Sequence, residues 1–218
     1  MLYFSTLHLN PLCRDTWMDV YDCQQMHCRV MSGFPQGPGN RAAHGALYRI
    51  DWPTGIGPVR ITVQSRTRPD WQALYQSGYL QGPATVEAVT HDYHQGKVLS
   101  FRLRAFPARA VDTKTRPDGT KSNGRRVPLL TDTERLEWLG RKAEQAGFDI
   151  MQAQVDGTMD VSGLHRCGPL TFLAVEFSGQ LRVRNPEQFA IALATGIGRG
   201  KAYGFGLLLV GHAAELIP

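Results

Sequence analysis

The feature that most constrains this chain is a repeated order of elements. LYFSTLHL (2–9) alternates apolar and polar residues and is rich in strand formers, so a strand is predicted there. A helix is predicted over 15–31, with Trp17, Tyr21, Gln24, Cys28 and Met31 on one face. ALYRIDW (46–52) and VRITVQS (59–65) read as a hairpin, 69–76 as a short helix and 84–90 as a closing strand. The second half repeats this order. VLSFRLRAF (98–106) is a strand. Residues 131–146 form a helix that Thr131 or Thr133 caps and Gly147 ends. Phe148 to Val155 is a strand, followed by a turn-rich stretch to Gly168, then a long strand over 170–183. Pro186 opens a helix to Ala194, and GLLLVGH (206–212) is the last strand.

Two consecutive β-α-β-β-α-β units predict an α+β protein of two tandem ferredoxin-like (RRM-like) domains, 1–93 and 97–218. A length of 218 residues suits two such units, and 42% hydrophobic residues can fill two cores. No run approaches the roughly 18 apolar residues of a membrane span. The N-terminus lacks the basic flank and apolar run of a signal peptide, so a cytoplasmic protein is expected. Cys13, Cys23, Cys28 and Cys167 form no C-x-x-C pair, and Cys23, His27 and Cys28 lack a second half-site. No metal and no cofactor are expected.

Charge is concentrated. The chain carries a net +5, yet the segment from Lys97 to Arg126 holds nine basic residues against Asp112 and Asp118, so the remainder is slightly acidic. Such a patch is the electrostatic footprint of a polyanion partner. Most of it falls in 107–127, a polar stretch expected to be an exposed excursion. Near the C-terminus, GIGRGKAYGFG (196–206) places five glycines among Arg199 and Lys201. Nucleotide fingerprints of this kind follow a strand and open a helix, because the helix N-terminus takes the phosphate. Here a helix precedes the loop and a strand follows it, and Lys201 is followed by Ala202 rather than Ser or Thr. A free nucleotide is therefore disfavoured. A nucleic-acid backbone lying against Gly198, Arg199 and Gly200 remains.

The loop, together with QMHCRVMSGFP (25–35), FRLRAFP (101–107) and RRVPL (125–129) before the tryptophan-bearing ERLEWL, resembles the CasE-type pre-crRNA endoribonucleases of type I-E Cascade, from the first strand to the last. The resemblance implies cleavage of CRISPR repeat RNA at the 3′ base of its stem-loop, without a metal. The neighbouring 2′-hydroxyl would attack, leaving 5′-hydroxyl and 2′,3′-cyclic phosphate ends. It further implies that the protein stays on its product beside other Cascade subunits. The family's catalytic histidine corresponds to His27, seven residues before Phe34-Pro35. Histidine suits proton transfer near neutral pH. The family carries a tyrosine three residues earlier, where this chain has Gln24. Tyr21 is the nearest tyrosine, about 240° away on a continuous helix. Lys201 or an arginine would supply positive charge. Expected RNA contacts are Arg102 and Arg104 on one strand face; Lys114, Arg116, Lys121, Arg125 and Arg126 on or beside the excursion; and His165 with Arg166 in the turn-rich stretch. The alternative is an RNA-hairpin-binding subunit that does not cut.

Overall fold

The computed structural model describes residues 1–35, 41–53, 55, 57–90, 92–111 and 124–211. In the first half, β1 (Leu2–His8) is followed by α1 (Arg14–Tyr21), α2 (Cys23–Met31) and the short α3 (Arg41–His44). Then come β2 (Leu47–Asp51), β3 (Arg60–Ser65), α4 (Gln72–Gln76) and β4 (Thr85–Val89). The strands form an antiparallel sheet in the order β2-β3-β1-β4. The second half runs β5 (Val98–Ala105), a ribbon of β6 (Ala108–Val111) and β7 (Arg125–Pro128), and α5 (Asp132–Gln145). It continues through β8 (Phe148–His165), β9 (Gly168–Val183), α6 (Pro186–Thr195) and β10 (Leu208–Gly211). Its sheet has the order β10-β5-β9-β8, the same arrangement as the first. In both, the first strand sits between the last and the third, as two helical crossovers joined by a central hairpin require. The architecture is thus the expected pair of ferredoxin-like sheets.

Local chemistry explains the helix ends. Thr131 accepts from the Glu134 amide while Glu134 reaches back to the Thr131 amide, a reciprocal cap for α5. Asn185 caps α6, with Pro186 in its first turn. Each sheet buries one apolar face. Leu7, Met26, Val30, Ile61, Val63 and Trp71 fill the first core. Phe101, Leu103, Leu139, Phe148, Phe177, Leu181 and Phe189 fill the second.

Two expectations are corrected. The single helix over 15–31 breaks at Asp22, whose backbone is extended (φ −125°, ψ 106°) and whose carboxylate accepts from the Gln24 and Gln25 amides at 2.8 and 3.1 Å. Asp22 is an N-cap inside the run, and the break rephases the faces. Thr16 and Asp19 of α1 and Cys23, Met26 and Val30 of α2 are buried, whereas Tyr21 and Cys28 are exposed. The stretch read as turn-rich is strand. β8 continues to His165 and pairs with β9 throughout, with register shifts at Ile150/Gln152 and Val155/Gly157. The long hairpin reaches α2, where the Leu164 amide donates to Asp22 Oδ2 at 3.2 Å. Gly163 permits that approach, since a Cβ there would stand 2.7 Å from Asp22 Oδ1 and 2.9 Å from Cys23 Sγ.

The two sheets are bolted together by charge. Arg49 of β2 is 1% exposed. It donates to Asp51 at 2.8 Å and, across the interface, to Glu176 of β9 at 3.2 Å. Arg104 of β5 crosses the other way, donating to the Ile50 carbonyl at 3.2 Å and pairing with Glu176 at 3.5 Å. Gln64 donates to the Leu193 carbonyl at 2.8 Å and Tyr48 to the Ala202 carbonyl at 3.1 Å. These bonds hold the glycine loop against the first sheet and fix it relative to α2.

Candidate active site and nucleic-acid interface

The glycine loop follows α6 and is folded back on itself. The Ile197 amide donates to the Gly206 carbonyl, and the Gly206 amide to the Arg104 carbonyl, each at 2.8 Å. All five glycines have positive φ. At Gly196 (φ 78°) a Cβ would lie 2.9 Å from the Gly206 carbonyl, and at Gly198 (φ 82°) it would lie 3.1 Å from the Trp138 ring. A turn with one or two glycines could not be this tight. Between Gly200 and Gly204 runs one 3-10 turn, Lys201–Tyr203, closed by the Tyr203 amide on the Gly200 carbonyl at 2.7 Å. Phe106, Phe172, Ala174 and Phe205 form a small apolar cluster beneath Tyr203.

That turn packs on α2 and brings Tyr203 to His27. The rings meet edge to face with centroids 6.1 Å apart. The Tyr203 hydroxyl donates to Gln24 Oε1 at 3.4 Å, and Gln24 Nε2 donates to Cys28 Sγ at 3.4 Å. Burial raises the Tyr203 hydroxyl above its ordinary value, so it remains a neutral proton donor near pH 7. Burial also pushes the Cys23 thiol up to about 11, which keeps it an inert packing group. Tyr21 does not take the position a continuous helix would give it. It lies beyond the break, 68% exposed, with its ring 6.3 Å from Trp17 and 6.1 Å from Trp52. Nothing local in the sequence pointed to Tyr203, one of two aromatic residues in a glycine run.

On its other flank the loop walls a cleft of about 660 Å³ between the β6–β7 ribbon, α5 and α6. Arg109, Arg126, Arg141, Lys142, Arg199 and Lys201 line it, and no carboxylate does among the described residues. Gly198 forms part of its floor, so backbone can be approached closely there. Arg109 also reaches Glu134 at 3.7 Å, an exposed pair of little energetic weight. Arg141 and Lys142 were not anticipated. Their signal was available: Trp138, Arg141, Lys142 and Gln145 follow the spacing of one helix face.

The other expected contacts separate. Arg125 is exposed on β7 beside the cleft, and Arg102 is partly exposed on β5. Arg104 is only 4% exposed, and the first sheet covers the strand face on which it was expected to meet RNA. Its guanidinium serves the domain interface instead, and burial lowers its proton affinity. His165 and Arg166 sit at the tip of the long hairpin, where the Cys167 amide donates to His165 Nδ1 at 3.2 Å. They lie near the start of α2 rather than in the cleft. Lys114, Arg116 and Lys121 lie outside the described residues. Among the described residues no helix is long and apolar enough to cross a membrane.

A family described as CRISPR associated protein matches residues 2–211. The CRISPR-associated endoribonuclease Cse3 of Thermus thermophilus is 31% identical over 223 aligned positions, covering 96% of this chain and 99% of that protein. The Cascade subunit CasE of Escherichia coli is 28% identical over 193 positions, covering 86% and 90%. A solved structure of Thermus thermophilus Cse3, bound to an RNA representing a pre-cleavage complex, superposes with a TM-score of 0.81 at 30% identity over 96% of this chain and 98% of that one. The tandem sheets, the glycine loop and these matches agree from end to end, and the chain belongs to the CRISPR-associated protein family, among its CasE-type members.

Proposed function

We propose that this protein cleaves CRISPR repeat RNA at the 3′ base of its stem-loop and keeps the product within a Cascade assembly. The carrying observation is the placement of His27 against Tyr203, at one end of a loop whose other end walls a cleft of six cations. The relatives support it: Cse3 is named an endoribonuclease and has been solved with RNA, and CasE is named a Cascade subunit.

The chemistry follows from the groups present. The 2′-oxygen gives up its proton and forms a bond to phosphorus, while the bond from phosphorus to the 5′-oxygen breaks and that oxygen takes a proton. His27 is the side chain suited to one of these transfers near neutral pH. The Tyr203 hydroxyl, which rests on Gln24 Oε1 in the free protein, exchanges that bond for one to the phosphate when RNA binds. Lys201 and Arg199 offset the charge that builds on its oxygens. Every atom the reaction needs is in the RNA and these side chains, so it proceeds in EDTA. The cleft suits an A-form stem, whose phosphates are read by shape and charge. The ribbon arginines Arg125 and Arg126 extend that track.

The test is a labelled type I-E repeat hairpin incubated with the protein in EDTA and resolved on a denaturing gel. One cut at the 3′ base of the stem is expected. Tight binding without a cut would instead support the reading as an RNA-holding subunit. Two variants probe the parts. Tyr203→Phe removes the hydroxyl but keeps the ring, and should lower the single-turnover rate about tenfold with hairpin affinity unchanged. Arg141→Ala should weaken binding and reduce the slope of log K against log salt by about 0.7 to 0.9, the effect of one lost phosphate contact. Filter binding from 50 to 300 mM salt measures it.

A further inference from the structure

A second cavity shares the Tyr203 ring with His27, and none of its lining residues lines the cleft. It lies between the α1–α2 break, the end of β2 and the middle of β8, with a volume of about 370 Å³, within the range of small-ligand sites. Tyr48 and Arg104, 1% and 4% exposed, form its deep end. Tyr203 is one of its walls, so the cavity and the histidine share that ring. Tyr21 and Trp52 stand at its mouth, 68% and 37% exposed, with rings 6.1 Å apart and tilted by 45°. With Trp17 stacked on Tyr21, they form a contiguous exposed aromatic patch, the kind of surface that marks a binding site. The exposed carboxylate of Asp160 lies on the rim, an acceptor for an amino group.

Building on the nuclease reading, we infer that this cavity receives an unpaired nucleobase, that of the first nucleotide 3′ of the cut. The chemistry fits a base: aromatic rings at the mouth and wall for its faces, and the Asp160 carboxylate on the rim for an amino group of its edge. The side follows from the order along the loop. Gly198, Arg199 and Lys201 wall the cleft, and Tyr203, two residues on, meets His27 and walls the cavity. A stem in the cleft with its 3′ base at His27 therefore directs the next nucleotide past Tyr203 into the cavity. Holding that base fixes the angle between the attacking 2′-oxygen and the departing 5′-oxygen, which is a positioning role.

The experiment compares single-turnover kcat/KM on an intact repeat hairpin and on one with a baseless tetrahydrofuran spacer directly 3′ of the cut, for the wild type, Tyr21→Ala and Trp52→Ala. The spacer should slow the wild type about tenfold, the worth of one base stacked on an aromatic ring. Each variant should cut the intact hairpin about as slowly, and the spacer should then make little further difference. Affinity for the stem product that ends at the cut should be unchanged in both variants. Equal cutting of intact and spacer hairpins by the wild type would overturn the inference while leaving the nuclease reading standing. No cut of either hairpin would overturn the nuclease reading itself.

Discussion

Replacing His27 by alanine is expected to lower the single-turnover cleavage rate by about 10² to 10⁴, the range that one positioned proton-transfer group supplies. Hairpin affinity should stay within about twofold. The separation follows from the layout. Binding charge resides in the cleft cations, whereas His27 belongs to α2, outside the lining of the cleft, and sets its ring against Tyr203. His27 is partly exposed and packs at the surface of α2, while Cys23, Met26 and Val30 hold that helix in place. The variant should therefore fold. A His27→Ala protein that cuts at the wild-type rate would remove the histidine from the mechanism, and one that neither binds nor cuts would place it in the binding surface.

The largest expected effect on stability lies far from the reaction. Arg49→Met should destabilise the protein by about 3 kcal/mol, the low end for removing one partner of a buried ion pair. The low end applies because the carboxylates keep other partners: Asp51 retains Arg60 at 3.3 Å, and Glu176 retains Arg104 at 3.5 Å. For a chain of this size the midpoint of thermal unfolding should fall by roughly 6 to 12 °C. Arg49→Lys should not restore it, since an ammonium cannot span two carboxylates with the fork that Arg49 uses. A drop of under 1 °C by calorimetry would show that the pair contributes nothing net. Because Tyr48, next to Arg49 on β2, holds the Ala202 carbonyl of the glycine loop, the variant should also lose cleavage before it loses global fold.

The element order was legible because alternation in 98–106 and the capping of 131–146 by Thr131 and Gly147 are local signals. The break at Asp22 was not, because helical periodicity continues through it and only a side-chain cap interrupts the backbone. β8 beyond Val155 looked like loop because its turn formers are held extended by pairing with β9, the other arm of the same hairpin, and not by their own propensity. His27 was singled out through the family resemblance, by its distance to Phe34-Pro35, and the structure sets its ring beside Tyr203. Arg104 was misplaced for a tertiary reason: alternation along β5 tells which residues share a face, and not what covers that face. Tyr203 was missed because its meaning comes from α2, some 180 residues away, and from the glycines that turn it there.

In the proposed reaction the RNA's own 2′-hydroxyl is the nucleophile, and this chain's side chains move its proton. This chemistry is tested most directly by one substrate pair: a repeat hairpin, and the same hairpin with a single 2′-deoxyribose immediately 5′ of the cut, both incubated in EDTA with mapping of the product ends. The account requires rapid cutting of the first, with 2′,3′-cyclic phosphate and 5′-hydroxyl ends, and no cutting of the second despite equal binding. Cleavage of the deoxy hairpin at the same position, or products bearing a 5′-phosphate, would contradict it and point to attack by water.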